Sequence, residues 1–231
     1  MFFTHFIGRG IGEAVVAFMA ALVVSVCATF AVRRIARKLR IVDMPSVERK
    51  RHERPVALLG GLGLFVSFWL VIGAFLWLHP DLVLGKVTLV QLASVFLATC
   101  GIIALGIADE IRDLRPRTRF IATLFIAFAP LLGGIGLDGI TNPFGGTIGL
   151  DRPQIYIPVV NTLLMIGDAV IFFWLLGMMY TTKLLDGLDG LATGIAAIGG
   201  IMIFLLTRTP KFFQPDVGLL ADVFVGVCLG F

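Results

Sequence analysis

The sequence predicts an all-α polytopic membrane protein of about six to seven transmembrane helices, and three observations carry that expectation. Hydrophobic residues make up 58% of the 231 positions and charged residues only 15%. At a mean hydropathy of +0.99, that is more apolar surface than one soluble core can hide. Apolar runs recur at Ala14 to Val32, Ala57 to Leu78, Thr88 to Ala108, Phe120 to Leu137, Ile157 to Tyr180, Leu191 to Thr207 and Val217 to Phe231. Most are close to the roughly 20 residues a helix needs to cross a bilayer. The polar gaps divide the cations unevenly: segments 33–54 and 112–119, together with Lys183, hold 14 of the 19 Lys and Arg residues. The positive-inside tendency assigns those gaps to the cytoplasm and the N-terminus to the outside.

Taken in order, the first run is too long for a signal peptide, lacks a small-residue cleavage site and leads directly into a basic loop, so it reads as a retained span. The loop from Arg33 to Pro55 opens as a basic helical extension and turns at Met44-Pro45; its cations favour the anionic inner leaflet. The second span starts beside Gly60-Gly61, glycines that permit close helix packing. The third ends at Asp109. Between the fourth and fifth, Gly133 to Tyr156 is glycine-rich, with Thr147 to Leu150 and Ile155 to Ile157 as short extended pieces, so a small external β-hairpin is expected. The sixth span follows the string ending at Ala192, and the seventh stops within its apolar run at Phe231. No repeat or low-complexity linker marks a second domain, so residues 1–231 read as one integral membrane domain. Cys27, Cys100 and Cys228 fall within spans, too dispersed for a metal site. The net charge of +4 is accounted for by inside loops, and nucleic acid is not an expected partner.

The chemistry concentrates in two acidic strings at the same predicted membrane surface. Membrane segments rarely carry acids without a use for them. In Lys183-Leu184-Leu185-Asp186-Gly187-Leu188-Asp189-Gly190, the two aspartates stand three apart. On a helix they would share a face, with glycines leaving the backbone open beside them. Such carboxylates suit Mg²⁺, which takes one or two protein acids along with water and phosphate oxygens. Capping of an exposed helix end is the weaker reading. Asp109, followed by Glu110 and Asp113, would sit where bilayer meets cytoplasm, as base or metal ligand. Pairing with Arg112, Arg115, Arg117 and Arg119 in a solvated loop is an equal alternative. Lys183 lies one helical turn before Asp186 and can grip a diphosphate oxygen or snorkel. Arg49, Lys50 and His52, with Arg119, complete the candidate anion-binding set; as a bare charge run, Arg49 to Arg54 is mostly topology signal, and a lone histidine among arginines is more often simply solvated.

The stretches Leu185 to Ala192, Gly106 to Leu114, and Asp43-Met44-Pro45 leading to Arg49-Lys50, His52, Pro55 and Gly60-Gly61 together resemble the polyprenyl-phosphate N-acetylhexosamine-1-phosphate transferases, glycosyltransferase family 4. The basic loop with its histidine is more similar to the undecaprenyl-phosphate GlcNAc-1-phosphate branch than to the phospho-MurNAc-pentapeptide branch. The resemblance implies a Mg²⁺-dependent transfer, with Mn²⁺ as an alternative metal, of a sugar 1-phosphate from a UDP-N-acetylhexosamine to undecaprenyl phosphate. UMP would be released at the cytoplasmic face of the plasma (inner) membrane, starting cell-envelope glycopolymer synthesis. It also implies that Asp109 matches the first acid of an Asp-Asp pair, a base or lipid-phosphate contact, and that Asp186 and Asp189 match the acids tied to metal and diphosphate. Asp109 is counted with them as a metal ligand. A homodimer is compatible with the sequence.

Three departures from the family pattern stand out. Glu110 replaces the usual second Asp, and Lys183 replaces the usual Asn. The later Met-Gly-Asp string and the histidine-rich loop have no counterpart. A helix stopping mid-membrane leaves carbonyls unpaired at several kcal/mol each, so the sequence is expected to be the N-terminal portion of a longer enzyme and, alone, poorly active. Three other readings compete. A CDP-alcohol phosphatidyltransferase would need an Arg after Ala192, where Thr193 stands. A transporter would place its polar site near the midplane, at helices broken near Gly73 or Pro130. A catalytically incomplete relative would bind polyprenyl phosphate only.

Overall fold

The computed structural model describes residues 2–38, 42–43, 56–57, 60–78, 87–112, 114–137, 139–141, 146–150, 155–157, 162–164, 166–185 and 190–231. Seven α-helices occur among them: α1 (Phe2–Lys38), α2 (Gly60–Leu78), α3 (Leu89–Arg112), α4 (Pro116–Leu132), α5 (Ile166–Leu185), α6 (Leu191–Arg208) and α7 (Pro215–Gly230). Five are long and apolar enough to cross a membrane, namely α1 from Gly12, α2, α3 through Asp109, α5 and α6. The other two, α4 with 17 residues and α7 with 16, are each roughly 25 Å long. The all-α polytopic expectation is met, and the protein is a multi-pass membrane protein.

Six two- or three-residue strands accompany the helices: β1 (Val42–Asp43), β2 (Val56–Ala57), β3 (Gly139–Thr141), β4 (Thr147–Gly149), β5 (Ile155–Ile157) and β6 (Thr162–Leu164). They form three antiparallel pairs, β1 with β2, β3 with β4 and β5 with β6. The expected single hairpin therefore becomes two. The extended pieces at 147 and 155 are present, but each pairs elsewhere: Ile148 opposes Ile140, and Tyr156 opposes Leu163. The fifth helix correspondingly starts at Ile166, not at Ile157. Pro158, which has no N–H to donate, and Asn161 interrupt the apolar run there.

The chain packs as two compact units. One comprises Met1–Val87, Gly106–Arg112 and Leu188–Phe231. Its core is the contact of α7 with α1, α6 and α2. On α1, Ala14, Ala17, Ala21 and Ser25 recur every three or four residues and are buried. On α7, Gly226 and Gly230 meet that stripe: a methyl group on Gly226 would stand 2.6 Å from the Phe18 carbonyl oxygen, and one on Gly230 would stand 2.5 Å from that of Leu22. Small residues on both sides let two backbones approach, which is how helices gain packing energy where lipid is as apolar as any side chain. α2 joins through an edge-to-face contact of Phe68 with Phe224 at 6.4 Å.

The other unit comprises Thr88–Leu105 and Asp113–Gly187. α3 opens with a capping box: the Gln91 N–H donates to Thr88 Oγ1 at 3.2 Å and the Thr88 N–H to Gln91 Oε1 at 3.0 Å. Two orphan amides are thus satisfied reciprocally. α4 starts on Pro116, which suits a first-turn position lacking an amide partner. It closes in a Schellman turn, Gly134 at φ +78°, with the Ile135 amide donating to the Pro130 carbonyl and the Gly134 amide to that of Leu131. Neither Gly73 nor Pro130 ends its helix; α2 runs to Leu78 and α4 to Leu132.

Candidate active site

Asp109 occupies the last turn of α3, at the end of a membrane-length apolar span. Its position at the end of an apolar span is the one expected from sequence. The residue is half-buried and its Oδ1 is shielded from solvent. Glu110 follows in the same helix, its side chain outside the described residues, and Arg112 is exposed in the final turn.

Arg119 lies in the first turn of α4, half-buried, and one guanidinium nitrogen donates to the Leu114 carbonyl at 3.1 Å. That bond uses one of five guanidinium donors. Lys183 is exposed in the last turn of α5, where a cation also complements the helix C-terminus. Asp186 and Asp189 lie outside the described residues, which resume at Gly190. Gly190 stands at φ +78° immediately before α6 and accepts from the Gly194 amide at 2.9 Å. Only glycine takes that conformation without strain, so one glycine of the string has a definite backbone role. The expected meeting of Asp109 with Asp186 and Asp189 involves residues 186–189, outside that set.

Arg49, Lys50 and His52 are also outside the described residues. Their segment is nonetheless bounded. Val42 pairs with Ala57 and Asp43 with Val56, and β2 lies against α1, so both ends of residues 44–55 are tied at one place. Among the described residues, no group of three His, Cys, Asp or Glu side chains is placed to hold a metal ion.

The model of glycosyl transferase family 4 matches residues 92–231. The chain belongs to glycosyl transferase family 4. The matched region of this family 4 chain takes in Asp109, Lys183, Asp186 and Asp189. Over 185 residues the chain is 30% identical to the "Probable undecaprenyl-phosphate N-acetylglucosaminyl 1-phosphate transferase" of Bacillus subtilis, covering 80% of this chain and 46% of that one. It is 28% identical over 225 residues to the decaprenyl-phosphate N-acetylglucosaminephosphotransferase of Mycobacterium tuberculosis, covering 92% and 51%. To the undecaprenyl-phosphate alpha-N-acetylglucosaminyl 1-phosphate transferase of Escherichia coli O157:H7 it is 26% identical over 182 residues, covering 76% and 43%. The family 4 chain thus spans about half the length of the curated relatives it matches. No solved structure matches it.

One charged site in the family 4 chain escaped the sequence reading. Asp222 lies inside α7, is only 9% exposed, and has the Arg208 guanidinium of α6 as the charge acting on it. The seventh apolar run concealed this acid, because one Asp scarcely lowers a window average. Its mere presence within a span was the signal available.

Proposed function

We propose that the protein catalyses transfer of an N-acetylhexosamine 1-phosphate, most simply GlcNAc 1-phosphate, from its UDP ester to undecaprenyl phosphate. The reaction would proceed at the cytoplasmic face of the plasma membrane, with the N-terminus outside. A lipid phosphate oxygen attacks the sugar-bearing phosphorus of the nucleotide diphosphate; the bond from that phosphorus to the bridging oxygen breaks, and UMP leaves. The observation that carries this reading is the family match across residues 92–231, which includes both acidic strings.

Asp109, at a span end with one oxygen shielded from solvent, suits a group that takes up the proton of the lipid phosphate or orients it. Lys183, Arg119, Arg49, Lys50 and His52 supply cationic donors for diphosphate oxygens, with Glu110 beside Asp109 as a further acid. Hard carboxylate oxygens at Asp109, Asp186 and Asp189 are a donor set that fits Mg²⁺ and also accepts Mn²⁺. The metal, when bound, would neutralise diphosphate charge and make phosphorus more electrophilic. Most of the catalysis is then positioning and charge compensation.

The test uses membranes containing the full-length protein, radiolabelled UDP-GlcNAc, undecaprenyl phosphate and Mg²⁺. Wild type should form solvent-extractable labelled lipid, and Asp109→Asn and Asp186→Asn should not. Undiminished turnover in both variants rules the mechanism out.

A further inference from the structure

Phe30, Arg33, Arg34 and Arg37 recur at the i, i+3, i+4, i+7 spacing that places them on one face of α1. Together with Ala31 they line a cavity of about 600 Å³. All three arginines are exposed, and Phe30 is 67% exposed. Ala36, fully buried, lies on the flank of the helix next to Arg33. No described carboxylate pairs with Arg33, Arg34 or Arg37. Three neighbouring exposed guanidiniums, with no carboxylate partner among the described residues, form a cationic hollow that an external anion would complete.

The length of α1 fixes the depth of that hollow. The apolar stretch from Ala14 to Val32 is roughly 28 Å of helix, which matches a hydrocarbon core of about 30 Å. The three arginines therefore follow in the next ~7 Å, at headgroup level. Phe30 sits one turn deeper, beside the acyl region. A ligand with a phosphate at the arginines and a hydrocarbon chain at Phe30 satisfies both features at that depth, whereas a soluble nucleotide would have to carry its polar base to the edge of the acyl region to reach the ring.

We propose that this face of α1, a helix that carries neither acidic string, is a binding site for the headgroup of an anionic phospholipid of the bilayer. The guanidiniums chelate the phosphodiester and Phe30 packs on the first acyl carbons. The inference goes beyond the transferase reading and stands whether or not that reading holds.

Native mass spectrometry of the full-length protein, titrated with phosphatidylglycerol in detergent, tests it. Wild type should retain a saturably bound phosphatidylglycerol. Arg33→Gln/Arg34→Gln/Arg37→Gln should bind on the order of 100-fold more weakly, from about one unit of surface attraction per cation lost. Lys211→Gln, at a distant helix end, should bind as wild type does, and the single variant Arg37→Gln should show an intermediate loss. Any one of four results overturns the proposal. These are unchanged binding in the triple variant while its thermal midpoint matches wild type, equal retention of phosphatidylcholine, an equal loss in Lys211→Gln, or displacement by glycerol 3-phosphate or UMP at the concentration of the lipid. The last result would identify a soluble phosphate site. A triple variant that fails to fold leaves Arg37→Gln as the deciding comparison, and wild-type affinity there also overturns the proposal.

Discussion

The Ser25 hydroxyl donates a 2.7 Å hydrogen bond to the Val227 carbonyl, joining α1 to α7 across 202 residues of sequence. The bond is buried and flanked by the close approach of Gly226 and Gly230 to α1. The first and last helices of the chain are thereby packed backbone to backbone.

Gly226→Ala should destabilise this seam by about 1–3 kcal/mol, because the added methyl meets the Phe18 carbonyl and the Ala21 side chain, and backbone cannot rotate away. Ser25→Ala should cost about 1 kcal/mol. Thermal unfolding in detergent reads both. A midpoint for Gly226→Ala no lower than that of Ser25→Ala would show that the helices separate easily.

Asp222 is buried in α7, and the nearest influence offsetting that burial is the charge of Arg208, half-buried at the end of α6. Arg208→Leu removes that offsetting charge and should cost about 1 kcal/mol, because solvent screens the half-buried arginine. The double change Arg208→Leu/Asp222→Leu should recover much of that loss, since the buried acid is then gone as well. A double variant as unstable as the sum of the two singles would mean that the charges do not interact.

Gln91 both closes the α3 capping box and donates to the Gly134 carbonyl at 3.4 Å. Gln91→Ala is expected to cost about 1 kcal/mol. Hydrogen exchange localises the effect: faster exchange should be confined to the start of α3 and the turn after α4. Acceleration spread evenly over α3 would assign the stability of this helix to other contacts.

For catalysis, Asp186→Asn and Asp189→Asn should each lower turnover by about 10²–10³, the magnitude typical of losing one group that compensates developing charge. Chelation by EDTA should abolish label transfer and added Mg²⁺ should restore it. Transfer that continues in EDTA would remove the metal from the mechanism.

Much of this organisation is legible in the sequence, for physical reasons that differ between elements. The end of the membrane-length stretch of α3 at Asp109 was visible because an apolar run terminates on an acid. The extension of α1 to Lys38 was visible because cations continue its helical pattern. Residues 157–165 misled, since hydropathy averages Ile157 and Thr162–Leu164 into a span whereas backbone pairing makes them two strands of a hairpin. The pairing of Val42–Asp43 with Val56–Ala57 went unseen because two-residue strands carry no periodicity. At the site, Asp109 and Lys183 stand at helix ends as expected, but the Arg119 bond to the Leu114 carbonyl depends on a local turn that no spacing rule announces.

The small ladder of Val42–Asp43 with Val56–Ala57 has a geometric consequence. His52 is four positions from Val56, so even a taut chain keeps it within about 14 Å of that anchor. Any part proposed for that imidazole is thereby confined to the neighbourhood of the ladder beside α1.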